Sequence, residues 1–440
     1  MTSLPEGFGR HDEEPEGPLS FGQDVMYEVA GPEARNRTLQ AAFAIKGPLD
    51  VAAFAGAVRT VVERRQALRV RIGRAADGTP WQTVHRAGDG PLFARQAVQC
   101  RSEEQFAYYA TRLRTAGMRQ PWDLEREPPF RFRLLRYSPE HHAFLADFPQ
   151  LALDACGRSL FVGELWQSYR DLVTGRSGSD PVAGDDLISA VRQQRERQVH
   201  RSAAVAGAYW QAKCGKLARV RERLRGDPAE PLRQQLVRTL RVDGRRLDTV
   251  RQECEAARVS LFQRLLARFA VEMCRLRPGP ELELGCMTDT REVSGRQLMG
   301  RFSLSLPLLL PAVLTDGEAL AQLRAELMRT MRHRHISGAD FRRAAAGQPQ
   351  VPPRGAVTAR LLEHSASNDL NRLSETGLTV EPGAYSPRAA ASTGIDLAVH
   401  DHGSRVDVVL RLDSRDFAPP DADAVARGLD QLLRSSVPRK

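Results

Sequence analysis

Strand-length apolar runs and helix-length amphipathic segments take turns along both halves of this chain, on either side of one stretch that suits neither. That stretch is residues 175–186 (GRSGSDPVAGDD), whose Gly, Ser, Pro and Asp content makes it the strongest linker of the sequence. Strands interleaved with helices on both sides imply two α/β lobes, since each layer must bury its apolar face against another. A length of 440 residues also exceeds the usual single core. The expected division is therefore 1–178 and 179–440.

The individual elements follow from periodicity. Residues 37–45 (RTLQAAFAI) alternate as a strand, and Gly47-Pro48-Leu49-Asp50 is a turn into a helix over 51–65 with Phe54, Val58, Val61 and Val62 on one face. Strands are predicted at 68–72, 130–137 (FRFRLLRY) and 142–148, with a helix at 105–118 between the first two. Ser159 starts a helix that carries Phe161, Leu165, Tyr169 and Leu172 at helical spacing. Past the linker, helices are expected at 187–217, 247–258, 261–276 (capped by Ser260), 315–333 and 421–435. Strands are expected at 281–287 and 302–309, a loop at 348–355, and a hairpin of 394–400 with 405–412 around His402-Gly403.

Charge and cysteine usage exclude some classes. The formal net charge is +10, but only Lys46, Lys213, Lys216 and Lys440 of the 64 basic residues are lysines, and the arginines lie dispersed among carboxylates. The densest runs, 192–201 and 219–225, read as solvated helical faces with Glu196 and Glu222 interleaved, and no aromatic platform accompanies them. Nucleic acid is therefore not an expected partner, whereas an acidic protein surface would suit the charge. The six cysteines have no paired spacing, which fits free thiols in a reducing cytosol. Residues 1–20 lack the basic start and apolar stretch of a secretion signal, and no apolar run is long enough for a bilayer. The expectation is a soluble, cytoplasmic monomer with no membrane contact.

Several short segments then occur in a telling order. They are Pro18-Leu19-Ser20-Phe21-Gly22-Gln23, Gly47-Pro48-Leu49-Asp50, Arg64-Arg65-Gln66-Ala67-Leu68-Arg69, Tyr209-Trp210, Ser260-Leu261-Phe262 and the stretch from Gly300 to Leu308 (GRFSLSLPL). These resemble the PLSxxQ, GPLD, RHExLR, YW, TLF and GFFVNTLPL segments of the condensation domains of nonribosomal peptide synthetases, and the resemblance covers nearly the whole chain. It implies two chloramphenicol-acetyltransferase-like lobes, each a mixed sheet with flanking helices, arranged as a V around a central tunnel. It also implies carrier proteins as partners, whose phosphopantetheine arms deliver thioesters; no cofactor bound to this chain is implied.

The same resemblance locates a site. Family members carry HHxxxDG at a strand-to-helix turn, where the second His handles the proton of the attacking amine or hydroxyl and the Asp pairs with an arginine. The aligned segment here is Pro149-Gln150-Leu151-Ala152-Leu153-Asp154-Ala155, followed by Cys156 and Gly157. Only the Asp is kept, and Arg69 or Arg291 could pair with it. An imidazole accepts and returns a proton near neutral pH, whereas the Gln150 amide has no useful basicity. Pro149 also removes a backbone donor and restrains Phe148. Leu304 stands where the family keeps a polar Asn, so Pro149, Ala155, Cys156, Ser303, Leu304 and Ser305 are the expected tunnel residues.

Other candidates read more simply. His141-His142-Ala143-Phe144-Leu145-Ala146-Asp147 has the wrong spacing for the motif and lies in the preceding strand, although His142 could serve as a base if it faced the tunnel. His400 and His402 flank Asp401 with a spacing that could ligate a metal, but a hairpin turn explains them and no metal site is expected. His333 and His335 suit a helix end. Cys156 reads as a small residue beside the site rather than a nucleophile. The sequence thus predicts a stand-alone condensation-like protein of nonribosomal peptide or hybrid polyketide biosynthesis. It is expected to be catalytically impaired and to recruit a carrier protein or another enzyme. The alternative is an active acyltransferase that makes an amide or ester from a carrier-bound or coenzyme A thioester.

Overall fold

In the first half the strands are β1 (Glu16–Pro18), β2 (Thr38–Lys46), β3 (Val70–Arg74), β4 (Pro80–Val84), β5 (Ala94–Ala97), β6 (Arg131–Ser138) and β7 (His141–Pro149). The helices are α1 (Phe21–Val29), α2 (Val51–Arg64), α3 (Glu103–Arg119) and α4 (Ala155–Thr174). The second half holds α5 (Leu187–Val199), α6 (Ala203–Arg223), β8 (Gln235–Asp243), α7 (Gly244–Ala256), α8 (Leu261–Leu276), β9 (Glu281–Asp289) and β10 (Ser303–Pro311). It continues through α9 (Asp316–Arg332), α10 (Gly338–Ala344), β11 (Val357–Glu363), β12 (Thr379–Pro382), β13 (Ile395–Asp401), β14 (Arg405–Asp413) and α11 (Pro419–Arg434). This computed structural model describes residues 15–29, 36–176, 186–199, 203–223, 235–277, 279, 281–291, 297–311, 315–346, 357–363, 372–384, 395–414 and 416–434. Most of the expected linker (177–185) and the expected loop at 348–355 lie outside them.

The first lobe is a five-stranded mixed sheet in the order β12-β2-β7-β6-β5, antiparallel except for β5 beside β6. Its central strand, β7, is buried at all nine positions because both faces are covered. On one face Phe144 and Phe148 meet Phe54 of α2 and Phe161 of α4, with ring centroids 4.9 and 5.0 Å apart. On the other, Ala143 and Leu145 pack with Phe106 and Ala110 of α3. Asp50 caps α2 by accepting from the amides of Ala52 and Ala53, so the turn sequence sets where that helix begins. A small antiparallel sheet, β1-β4-β3, flanks this lobe.

The second lobe is a six-stranded mixed sheet, β10-β9-β11-β13-β14-β8, whose apolar face packs on α7, α8 and α11 through Leu266, Phe269, Leu284, Leu410 and Leu429. Ser260 and Gln263 form a reciprocal capping box at the start of α8. The mixed sheets with flanking helices match the expected two-lobed α/β class.

Three expectations are corrected. The helix after β7 starts at Ala155 rather than Ser159, because Asp154 is its N-cap and accepts from the Gly157 amide at 2.9 Å. The helix expected over 187–217 is two, α5 and α6, with 200–202 outside the described residues. The boundary at residue 178 does not separate the lobes: Leu187, Ile188 and Val191 of α5 sit in the first core. In addition, β12 pairs with β2 from Thr379 opposite Lys46 to Pro382 opposite Phe43. No helix among the described residues is long and apolar enough to cross a membrane.

Candidate functional site

β7 ends at Pro149, and the turn of residues 150–154 leads into α4. The amides of Ala152 and Leu153 close the turn on the Pro149 carbonyl at 3.0 and 3.2 Å, and Leu151, Ala152 and Leu153 are buried in the first core. Gln150, half-buried, is the one turn residue of 150–154 whose side chain is not buried. Its amide N–H donates to the Arg37 carbonyl at 2.8 Å, and its carbonyl accepts from Arg301 Nη1 at 2.9 Å. The Gln150 side chain at this turn is an amide and carries no titratable group.

Asp154 is saturated. Its Oδ1 accepts from Gly157 N and Arg291 Nη2, and its Oδ2 from Arg291 Nη1 and the amides of Phe302 and Ser303, all at 2.8 to 2.9 Å. Arg291 spends its remaining donors on the carbonyls of Leu298 and Gly300 and on Asp289 Oδ1. Burial alone would raise the Asp154 carboxyl, but Arg291 and the backbone donors outweigh it and hold it below the ordinary carboxylate range. Burial likewise opposes the Arg291 charge, and the Asp154 carboxylate more than restores it. This pair ties α4 of the first lobe to the second and leaves no spare lone pair or proton for chemistry.

The structure places the other predicted residues as follows. Arg69 is not the partner of Asp154; its guanidinium donates to the carbonyls of Val62 and His85. Pro149 lies within the sheet opposite Thr38, Ala155 is half-buried and Cys156 is exposed at the start of α4. Ser303, Leu304 and Ser305 cannot all line one channel, because consecutive strand residues face opposite ways. Leu304 is buried with Trp210, Leu306 and Ile336, whereas Ser303 is half-buried and Ser305 exposed on the other side of β10.

His142 sits at the far end of β7, eight residues from Gln150, about 26 Å at ~3.3 Å per residue. That distance removes it from the turn, so it cannot act as a base beside Asp154. It is buried, its Nδ1 has no hydrogen-bond partner, and burial foremost, with Arg136, His141 and Arg95, pushes its pKa down to about 4. A histidine whose folded value lies below its unfolded value of about 6.5 stabilises fully above that pH and loses the contribution as pH falls towards the folded value. Between pH 7.5 and 4.5 the urea midpoint of the protein should therefore fall, with His142 supplying on the order of 2–3 kcal/mol. His142→Leu should flatten that part of the profile; an unchanged slope would refute the assignment.

In the hairpin, Asp401 is engaged by Arg251 at 2.8 Å and His402 lies 3.4 Å from Asp407, which leaves a salt-bridged turn. No cluster that could hold a metal occurs among the described residues. Arg301 is the residue that motif spacing does not single out. It begins the segment leading into β10, and a cation at the head of a leucine-rich strand (RFSLSLPLLL) is the signal that points to it.

A family profile described as "Condensation domain" matches residues 14–346. The isonitrile lipopeptide synthase of Streptomyces coeruleorubidus is 26% identical over 415 residues, which is 89% of this chain and 26% of that protein. Tyrocidine synthase 3 of Brevibacillus parabrevis is 30% identical over 155 residues, 35% of this chain and 2% of that protein. The chain thus spans about a quarter or less of these relatives' length. Among solved structures, the X-domain from teicoplanin biosynthesis superposes with a TM-score of 0.69 at 21% identity, covering 98% of this chain and 97% of that one. The first condensation domain of the calcium-dependent antibiotic synthetase gives 0.70 at 17% identity, covering 96% and 97%. At these identities the superpositions speak to the fold.

Proposed function

Because this chain belongs to the condensation-domain family, we propose that it serves nonribosomal peptide biosynthesis by recruiting a carrier protein or another biosynthetic enzyme rather than by catalysing condensation. The observation that carries this reading is Gln150. At the turn between β7 and α4 an amide stands where proton transfer would need a base, and the neighbouring carboxylate, Asp154, is consumed by Arg291 and three backbone amides. The X-domain from teicoplanin biosynthesis, which shares the fold, has been solved in complex with OxyB, and that precedent supports a recruiting role. The partner's phosphopantetheine arm would present its thioester at this turn, where Gln150 can orient a substrate by hydrogen bonding.

The test is a single-turnover assay with the full chain, an acyl donor loaded on its carrier protein and an amine acceptor. Product should form no faster than without the chain, and Gln150→Ala should change the rate by less than about twofold, since an amide contributes no proton transfer. Carrier or enzyme binding should persist in both proteins. Turnover well above background would overturn the reading and make the chain an acyltransferase.

A further inference from the structure

Two arginines at the same turn differ in how their donors are used. A guanidinium has five N–H donors. All five of Arg291 are taken, and its charge is matched by Asp154. Arg301, ten residues on, uses two: Nε donates to the Gly22 carbonyl at 3.3 Å and Nη1 to the Gln150 carbonyl at 2.9 Å. Three N–H vectors, two on Nη2 and one on Nη1, have no acceptor among the described residues, and none of the described carboxylates forms an ion pair with this cation. Burial foremost, opposed by the charge of Asp154 and aided by that of Arg37, pushes its pKa down to about 10. Arg37 is exposed, and its carbonyl holds the Gln150 amide at 2.8 Å. The backbone of Gln150 is thus held between two arginines, one half-buried and one open to solvent.

Such an arrangement is costly unless an anion completes it, because a partly desolvated cation without a counter-ion forfeits hydration that only a charged partner restores. The available N–H pair on one planar guanidinium matches the two oxygens of one carboxylate. We propose that Arg301, assisted by Arg37, binds a carboxylate carried by the ligand that reaches Gln150, making this turn selective for an acidic acyl or peptidyl group. The inference rests on residue 150 marking where the ligand's reacting end lies. It sharpens the proposed function by naming the chemistry of the cargo. In the family's GFFVNTLPL segment the aligned position is Phe, so the cation is a property of this chain.

Equilibrium binding to the full chain tests it, with no carrier protein and no turnover, so that its outcome is separate from that of the recruitment reading. The probes are the N-acetylcysteamine thioesters of succinate and of succinamate, which differ by one carboxylate, and phosphopantetheine against pantetheine. Succinyl thioester should bind about 10–100-fold more tightly than its amide, the range expected for one charge-assisted hydrogen-bonded pair. Arg301→Met should erase that preference, and Arg301→Lys should keep part of it by charge alone. Should Arg301→Met fail to fold, Arg37→Met on the exposed side and a falling preference with rising salt decide the matter. Equal binding of acid and amide would overturn the proposal. So would a preference untouched by both arginine variants, or discrimination confined to the phosphate of phosphopantetheine.

Discussion

Replacing Asp154 with alanine is expected to destabilise the protein by about 3–5 kcal/mol, the range for removing one partner of a buried ion pair, with about 1 kcal/mol more from the lost helix cap. The residue accepts five hydrogen bonds from both lobes, and its loss leaves two donors of the buried Arg291 unpaired, with only the half-exposed Asp289 as counter-charge. Denaturant unfolding of wild type and variant at pH 7 measures the difference; a loss under about 1 kcal/mol would show that the pair is not what joins α4 to β10. Asp154→Ala with Arg291→Met should recover the part of the loss that comes from the orphaned guanidinium, while the amides of Gly157, Phe302 and Ser303 stay without their acceptor. The sign with pH follows from the direction of the shift. A carboxyl held below its ordinary value contributes fully above about pH 4–5 and loses its contribution as pH falls through the folded value. The acid limb of the wild-type profile should therefore be steeper than that of the double variant.

Gln150→His is expected to raise the single-turnover rate of condensation from background by as much as ~10²–10⁴, the usual contribution of a positioned general base. The turn already has the other parts of the arrangement. Asp154 and Arg291 fix its C-terminal side, and the Gln150 backbone is held by Arg37 and Arg301 on either flank. An imidazole introduced there needs no rearrangement of those bonds, which involve only main-chain atoms of residue 150. Pro149 stiffens the approach, so Pro149→His with Gln150→His should exceed the single change. No gain in either variant would count against the proposal that residue 150 is where a general base would act.

Much of this was legible in sequence, and the failures have physical causes. Long elements with strong periodicity, such as α2, α8 and β6, fell within one or two residues of expectation because burial of one face dictates their pattern. The start of α4 was misplaced because capping by Asp154, not the first apolar residue, sets it. Edge strands escaped notice: β5 is exposed at every position, and β12 is four residues ending in Pro382, so neither carries an apolar signature. Choosing between Arg69 and Arg291 required three dimensions, since the true partner lies 137 positions from Asp154. Leu304 was grouped with Ser303 and Ser305 by alignment, and the pleat of β10 separates them. The sequence shows Arg301 only as an arginine ahead of the β10 segment; that it has no ion-pair partner among the described carboxylates emerges only in three dimensions.

The strand contributed by the C-terminal half to the first lobe's sheet makes this protein indivisible at its linker. Cutting the chain between 177 and 185 would strip β12 from β2 and uncover the backbone of Phe43 to Lys46, a ready template for pairing with another molecule. A first half expressed by itself should therefore precipitate, while co-expressed halves should reassociate. The crossing also anchors the lobes at a second place besides the Asp154–Arg291 junction. Any displacement of one lobe against the other that keeps both fastenings must leave the β12–β2 pairing and the Asp154–Arg291 contact unbroken.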